Sequence, residues 1–142
     1  MREDGGLLGD LIKQVEELEL KDVAFVGDQT QENLNKLYNI ADVLAVPSRV
    51  EGFGLVAIEG LACGAPVVAT NNGGMTDFVN ETVGALVDVE DDIMLEKEIS
   101  KILKEERVFN RAELANYAKE RYSEEKVIQN LIELYENVIN NK

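Results

Sequence analysis

The chain has 142 residues, 45% of them hydrophobic, with 14 Lys and Arg against 28 Asp and Glu and a formal net charge of −14. That length suits one domain over 1–142 with a sizeable buried core, divided into a β/α part over 6–90 and a helical tail over 91–142. The acidic balance repels phosphate backbones and anionic membranes, so no nucleic-acid partner is expected, and no apolar run approaches the ~20 residues of a membrane span.

Leu7, Leu8, Leu11, Ile12, Val15 and Leu18 recur at helical spacing over 6–19, and Val23, Ala24, Phe25 and Val26 then form a short apolar run ending at Gly27. The pair reads as a helix followed by a buried strand. Leu34, Leu37 and Tyr38 mark one face of a second helix over 33–39, and a β-branched run over 43–46 is stopped by Pro47. A third helix is predicted over 54–63, where Ala57, Gly60 and Ala62 are small enough to pack tightly on a sheet. Pro66 opens a strand through Thr70, Gly73 and Gly74 turn the chain into a short helix over 75–79, and 84–87 supplies a fourth strand. This β/α alternation predicts a parallel sheet flanked by helices. Three helical patterns follow, over 93–106, 108–121 and 123–139. In the last, Val127, Ile128, Leu131, Ile132, Tyr135, Val138 and Ile139 draw one apolar stripe, read as a core-docking face with a partner-domain surface as the alternative.

The chemistry concentrates in residues 47–74. Glu51 and Glu59 flank a glycine-rich helix start, where Gly52 and Gly54 admit a ligand close to the backbone. The first amides of that helix, at Gly54, Leu55 and Val56, point unpaired N–H groups at an anion. Carboxylates beside such a site accept from hydroxyls, so the arrangement suits a sugar joined to a diphosphate. The bland alternative makes Glu51 a favourable acid near a helix N-terminus and Glu59 a solvated helix residue. Arg49 lies near enough to offset donor charge, or is simply solvated. Histidine is absent and Cys63 is the one cysteine, which excludes imidazole catalysis, a Cys/His zinc cluster and an internal disulfide. Proton transfer then falls to carboxylates or to another polypeptide, no metal site is expected, and a reducing, cytoplasmic location is.

The pattern Val23-Ala-Phe-Val-Gly27, Leu37-Tyr38, Ala41-Asp42, Pro47-Ser48, Glu51-Gly-Phe-Gly-Leu55, Glu59, Ala62-Cys-Gly64, Pro66-Val-Val-Ala-Thr70 and Gly73-Gly74 resembles the carboxyl-terminal domain of retaining GT-B glycosyltransferases of the family 4 or group 1 type. The likeness runs from about Leu7 to Val87, and the helical tail fits it. Its core is Glu, seven residues, then Glu, set in a glycine and proline frame. The resemblance implies a Rossmann-like parallel sheet of about four strands with flanking helices and a helical carboxyl-terminal tail, binding a nucleotide diphosphate sugar as substrate with no cofactor. It gives Glu51 a catalytic place against hydroxyls of the donor sugar and puts Glu59 on the ribose. Phe53, Gly54, Leu55 and Val56 receive the diphosphate, Gly73 and Gly74 approach the donor closely, and Gly27 flanks the base.

The chain departs from that pattern at its start. The family's first strand, glycine-rich turn, phosphate-clamping Arg and Lys and second strand are missing before Met1-Arg2-Glu3, as is the amino-terminal acceptor domain. The expectation is a truncated donor-binding half, not catalytically competent alone, whose partners are the donor and the missing acceptor domain. In a doubly wound sheet the missing strands separate the strand at Val23 from the one at Val43, so either a rearranged four-stranded sheet or a homodimer through the open edge is expected. Two rival readings stay open: a fragment of another GT-B enzyme such as an epimerase or a phosphorylase, and a non-catalytic nucleotide-sugar-binding or assembly module.

Overall fold

The computed structural model describes residues 7–140. The amino-terminal Met-Arg-Glu-Asp-Gly-Gly, including position 6 of the first predicted helix, lies outside the described residues, as do the last two. The chain divides into two compact units at Thr30.

The first unit holds α1 (Leu7–Glu17), closed by Glu19 in the left-handed region and by Leu20 N–H donating to Val15 O at 3.0 Å. The apolar run over 23–26 is not a strand: its backbone is irregular, and Val23, Phe25 and Val26 are about half exposed. A short apolar run becomes a strand only where another strand meets its N–H and C=O groups. The strand expected at 23–26, and with it the rearranged four-stranded sheet, is absent among the described residues, which form a three-stranded sheet instead.

That sheet lies in the second unit. Its strands β1 (Leu44–Val46), β2 (Val67–Thr70) and β3 (Gly84–Val87) run parallel in the order β1-β2-β3, with Leu44 opposite Val67 and Val67 opposite Gly84. Around it stand α2 (Gln31–Ile40), α3 (Leu55–Ala62), α4 (Met75–Phe78), α5 (Asp92–Leu103), α6 (Arg111–Tyr122) and α7 (Glu124–Asn140). All four β2 residues are buried, and because successive side chains leave opposite faces, both faces of the sheet must be covered. Helices α3 and α5 both pack on β2. Val67 and Ala69 join Ile58, Leu61, Met75, Phe78, Val83 and Leu114 in the main core, which also seats α6 against α3.

Local chemistry sets the ends of these helices. Asp91 caps α5 by accepting from Met94 N–H at 3.0 Å, and Asn110 caps α6 by accepting from Ala112 N–H at 3.0 Å. Helix α3 ends in a Schellman turn, Gly64 N–H donating to Leu61 O and Ala65 N–H to Gly60 O. Its C-terminus and that of α2 share one clamp: the Arg111 guanidinium donates to the Tyr38 and Asn39 carbonyls of α2, to the Ala41 carbonyl just beyond it and to the Cys63 carbonyl. Helix α7 packs on α6, but its whole stripe from Val127 to Ile139 is about half exposed or more, so the expected core-docking role does not hold within this chain. No helix among the described residues is long and apolar enough to cross a membrane.

Candidate functional site

Strands β1, β2 and β3 end at Val46, Thr70 and Val87, and the loops leaving the first two of these carboxyl ends hold most of the candidate residues. That edge is where open parallel sheets place their ligands.

Two loops are locked together there by side-chain and backbone hydrogen bonds. Thr70 Oγ1 donates to Ser48 O at 2.5 Å, and Asn72 Nδ2 donates to the same carbonyl at 2.5 Å and to Thr70 Oγ1 at 2.8 Å. Gly74 N–H donates to Gly52 O at 3.2 Å. A methyl group on Gly73 would stand 1.7 Å from Glu51 O, and one on Gly74 would stand 2.6 Å from the Phe53 Cα and O, so the turn at 73–74 fits against the Glu51 loop only because both are glycine. Sequence reasoning found the Gly-Gly turn but missed Thr70 and Asn72. The signal available was a pair of short polar side chains at the end of a buried strand, where such groups must find partners.

Gly54 begins α3 with φ 89° and ψ 38°, a left-handed conformation, packed so closely on Met75 and Phe78 that a Cβ would come within 2.9 Å of Met75 Sδ. Its N–H donates to Glu51 Oε1 at 3.2 Å, which holds that carboxylate at the mouth of the helix. The first intrahelical donors are Ala57 and Ile58, both to Gly54 O. Leu55 and Val56 thus present amides with no helical acceptor, at the positive end of the helix and on exposed residues. Phe53 is half exposed and meets Tyr122 edge-on at 6.0 Å, and Tyr122 meets Phe78 at 5.8 Å, so an aromatic chain from α6 braces the loop.

Glu59 lies one helical turn beyond Leu55 on the same side of α3, about 6 Å along the axis from its start. Ala57, Ile58, Gly60 and Leu61 face inward, whereas Glu59 is only half buried. Its Oε2 accepts from the Tyr38 hydroxyl at 3.2 Å. Burial first, and the Glu59 charge next, hold the Tyr38 phenol above its usual range, so it remains a donor.

Seven candidates, Glu51, Phe53, Gly54, Leu55, Val56, Gly73 and Gly74, therefore gather at one loop cluster, with Glu59 a turn away along α3. Gly27 belongs to the first unit, where it is left-handed with φ 60° in irregular backbone rather than at a strand end. Arg49 forms an exposed ion pair with Glu90 at 3.0 Å. That pair borders a hollow of about 250 Å³ lined also by Asp88, Asp91 and Asp92, an acidic wall that disfavours a diphosphate and leaves the α3 amides as the anion-attracting feature of this edge. Among the described residues, no three His, Cys, Asp or Glu side chains gather as a metal site would require.

Over residues 4–121 the sequence matches the family model described as "Glycosyl transferases group 1". It is similar to the D-inositol 3-phosphate glycosyltransferase of Salinispora arenicola, 40% identical over 117 residues that make up 80% of this chain and 26% of the relative. A second relative of the same name, from Mycolicibacterium vanbaalenii, is 48% identical over 91 residues, 61% of this chain and 20% of that one. The chain thus spans between a fifth and about a quarter of the length of these curated relatives. Among solved structures it resembles the sucrose-phosphate synthase from Thermosynechococcus elongatus, with a TM-score of 0.76 and 34% identity over 99% of this chain and 36% of that chain. The Anabaena protein HepE in complex with UDP-glucose shares the fold at a TM-score of 0.77 and 23% identity, over 96% and 38% of the two chains.

Proposed function

Because the chain belongs to the family of group 1 glycosyl transferases, we propose that it is the nucleotide-sugar donor-binding half of a retaining glycosyltransferase of the family 4 type. In this reading the diphosphate rests on the Leu55 and Val56 amides, the sugar meets Glu51, and the nucleoside lies along the exposed side of α3 as far as Glu59. Gly73 and Gly74 form the floor that keeps side chains out of the donor's path. The observation that carries the proposal is the α3 N-terminus itself, where the Leu55 and Val56 amides have no helical acceptor, with Glu51 held beside it by the Gly54 N–H and Glu59 one turn further along the helix. UDP and UDP-glucose in the HepE structures support the ligand class, since those complexes share this fold.

The chemistry follows from what each group offers. As the bond from sugar to diphosphate breaks, negative charge grows on the leaving phosphate, and backbone N–H groups already aimed there stabilise it without reorganising. Glu51 is held by the Gly54 N–H through one oxygen, which leaves the other for a sugar hydroxyl. Transfer to an acceptor needs a second polypeptide region, and the acceptor domain is the proposed partner. A second copy of this chain is proposed to pair along the free side of β1, which among the described residues ladders only with β2.

Calorimetry tests the reading. UDP, GDP and ADP, each with its glucose conjugate, are titrated into the chain, and at least one pair is expected to bind. Glu59→Ala weakens both members of that pair about tenfold, as loss of a hydrogen bond to a charged group does. Glu51→Ala weakens only the sugar conjugate. Binding by none of the six, or equal loss from Glu51→Ala for free and conjugated nucleotide, rules the assignment out.

A further inference from the structure

We propose that Tyr38 is a positioning residue for the nucleoside end of this site: its hydroxyl holds one oxygen of Glu59 so that the other faces a ribose hydroxyl. The inference rests on the assignment of Glu59 to the nucleoside made above, and adds a residue to it.

Tyr38 comes from the last turn of α2 and is 7% exposed, with its one hydrogen-bonding atom directed at Glu59 Oε2, 3.2 Å away. A buried tyrosine ring contributes packing whatever its hydroxyl does, but the hydroxyl itself has to find a partner, and here the partner is a candidate ligand group on the neighbouring helix. Among the described residues, no hydrogen bond reaches Glu59 Oε1. The carboxylate is therefore half used: one oxygen is fixed from within and the other is without a protein partner among the described residues, on a helix face that Glu59 shares with Leu55 one turn earlier.

The frame that carries donor and acceptor is tied together by hydrogen bonds and close packing. Arg111 donates to Asn39 O at 2.7 Å and to Tyr38 O at 3.4 Å at the end of α2, and to Cys63 O at 3.2 Å at the end of α3. One guanidinium thus ties together the two helix ends from which Tyr38 and Glu59 project. Helix α3 also lies close on β1, where the space of a Gly60 Cβ is already taken by Leu44 Cδ2 at 2.5 Å. An unheld glutamate on a half-exposed helix face samples many rotamers and loses that freedom on binding. A carboxylate already fixed through one oxygen loses less, and its ligand is bound more tightly for that reason.

A purely structural link between α2 and α3 would use the same hydrogen bond, so the test must be one that only positioning moves. The full chain is titrated by calorimetry with whichever of UDP, GDP and ADP it binds best, and with the 2′,3′-dideoxy form of that nucleotide. Tyr38→Phe, which keeps the buried ring, is expected to weaken the ribose form about three- to tenfold and to leave the dideoxy form unchanged. In a Glu59→Ala background the same substitution is expected to add nothing. Thermal melting of each variant confirms that the fold is retained. Equal weakening of both nucleotide forms makes Tyr38 a structural link and overturns the inference. So does Tyr38→Phe without effect where Glu59→Ala weakens the ribose form, and that result leaves the function reading intact. Glu59→Ala without effect on a bound nucleotide removes the reading on which the inference stands, as does a wild-type chain that binds none of the three.

Discussion

At Gly73 the backbone stands at φ 46°, where side chains are rarely tolerated, and a Cβ would overlap the Glu51 carbonyl oxygen at 1.7 Å. That neighbour is backbone and cannot swing away. Gly73→Ala must therefore push the Glu51 loop off the turn, breaking the fit that seats both Glu51 and the start of α3. The expected loss is about 2–4 kcal/mol in urea unfolding, with nucleotide binding lost alongside. Gly9 in α1 has open space around it, so Gly9→Ala is expected to change stability in the opposite direction, by about 0.5 kcal/mol. A Gly73→Ala chain as stable as wild type would show that the two loops are not in register. The two residues illustrate what the sequence makes legible. Gly-Gly after a β-branched run announces a turn, but not which carbonyl lies beneath it. Likewise Tyr38 reads from its spacing as one more apolar position beside Leu34 and Leu37. Its hydroxyl acquires meaning only when α2 and α3 are set side by side.

Arg111 shows how the elements are held. It sits in the first turn of α6, and its guanidinium reaches four carbonyls at the C-termini of α2 and α3. These are carbonyls that helix ends leave unpaired, at the negative end of each macrodipole, and a planar fork of donors suits them better than a point charge. Arg111→Ala is expected to cost about 1–2 kcal/mol, discounted for the exposed setting, and Arg111→Lys to recover less than half of that because one ammonium cannot reach all four. Urea denaturation measures both, and full recovery by lysine would reduce the clamp to a charge effect. Sequence pattern located the elements on either side of this clamp well. The strand at 84–87 has the boundaries expected of it, and the one opened by Pro66 differs by one residue, because short apolar runs punctuated by Gly or Pro mark their own ends. The run over 23–26 and the α7 stripe had equally clear patterns and were read too far. Apolar periodicity reports that a face needs covering, and it carries no information about whether this chain supplies the cover.

For the molecule as a whole, the side of β1 that has no ladder partner among the described residues is set against the net charge. The strand has three residues, about 10 Å of ladder, and Ala45 on it is exposed. Such an edge offers a few backbone hydrogen bonds, each worth about 0.5–1.5 kcal/mol net. Opposing them, two copies each carry −14, a repulsion that extends over roughly 10 Å at 0.1 M salt and shortens as salt is added. Weak association that strengthens with ionic strength is the expected outcome, read by light scattering over a concentration series at low and high sodium chloride. Ala45→Lys adds a charge on the edge itself and is expected to return the chain to monomer at both salts, by the device that natural edge strands use. The half-exposed stripe of α7 is the rival surface, and Leu131→Glu separates the two. If Leu131→Glu abolishes association while Ala45→Lys leaves it unchanged, the helix and not the strand is the contact. If the unaltered chain stays monomeric at every concentration and salt, the repulsion wins outright and the open edge needs no second copy.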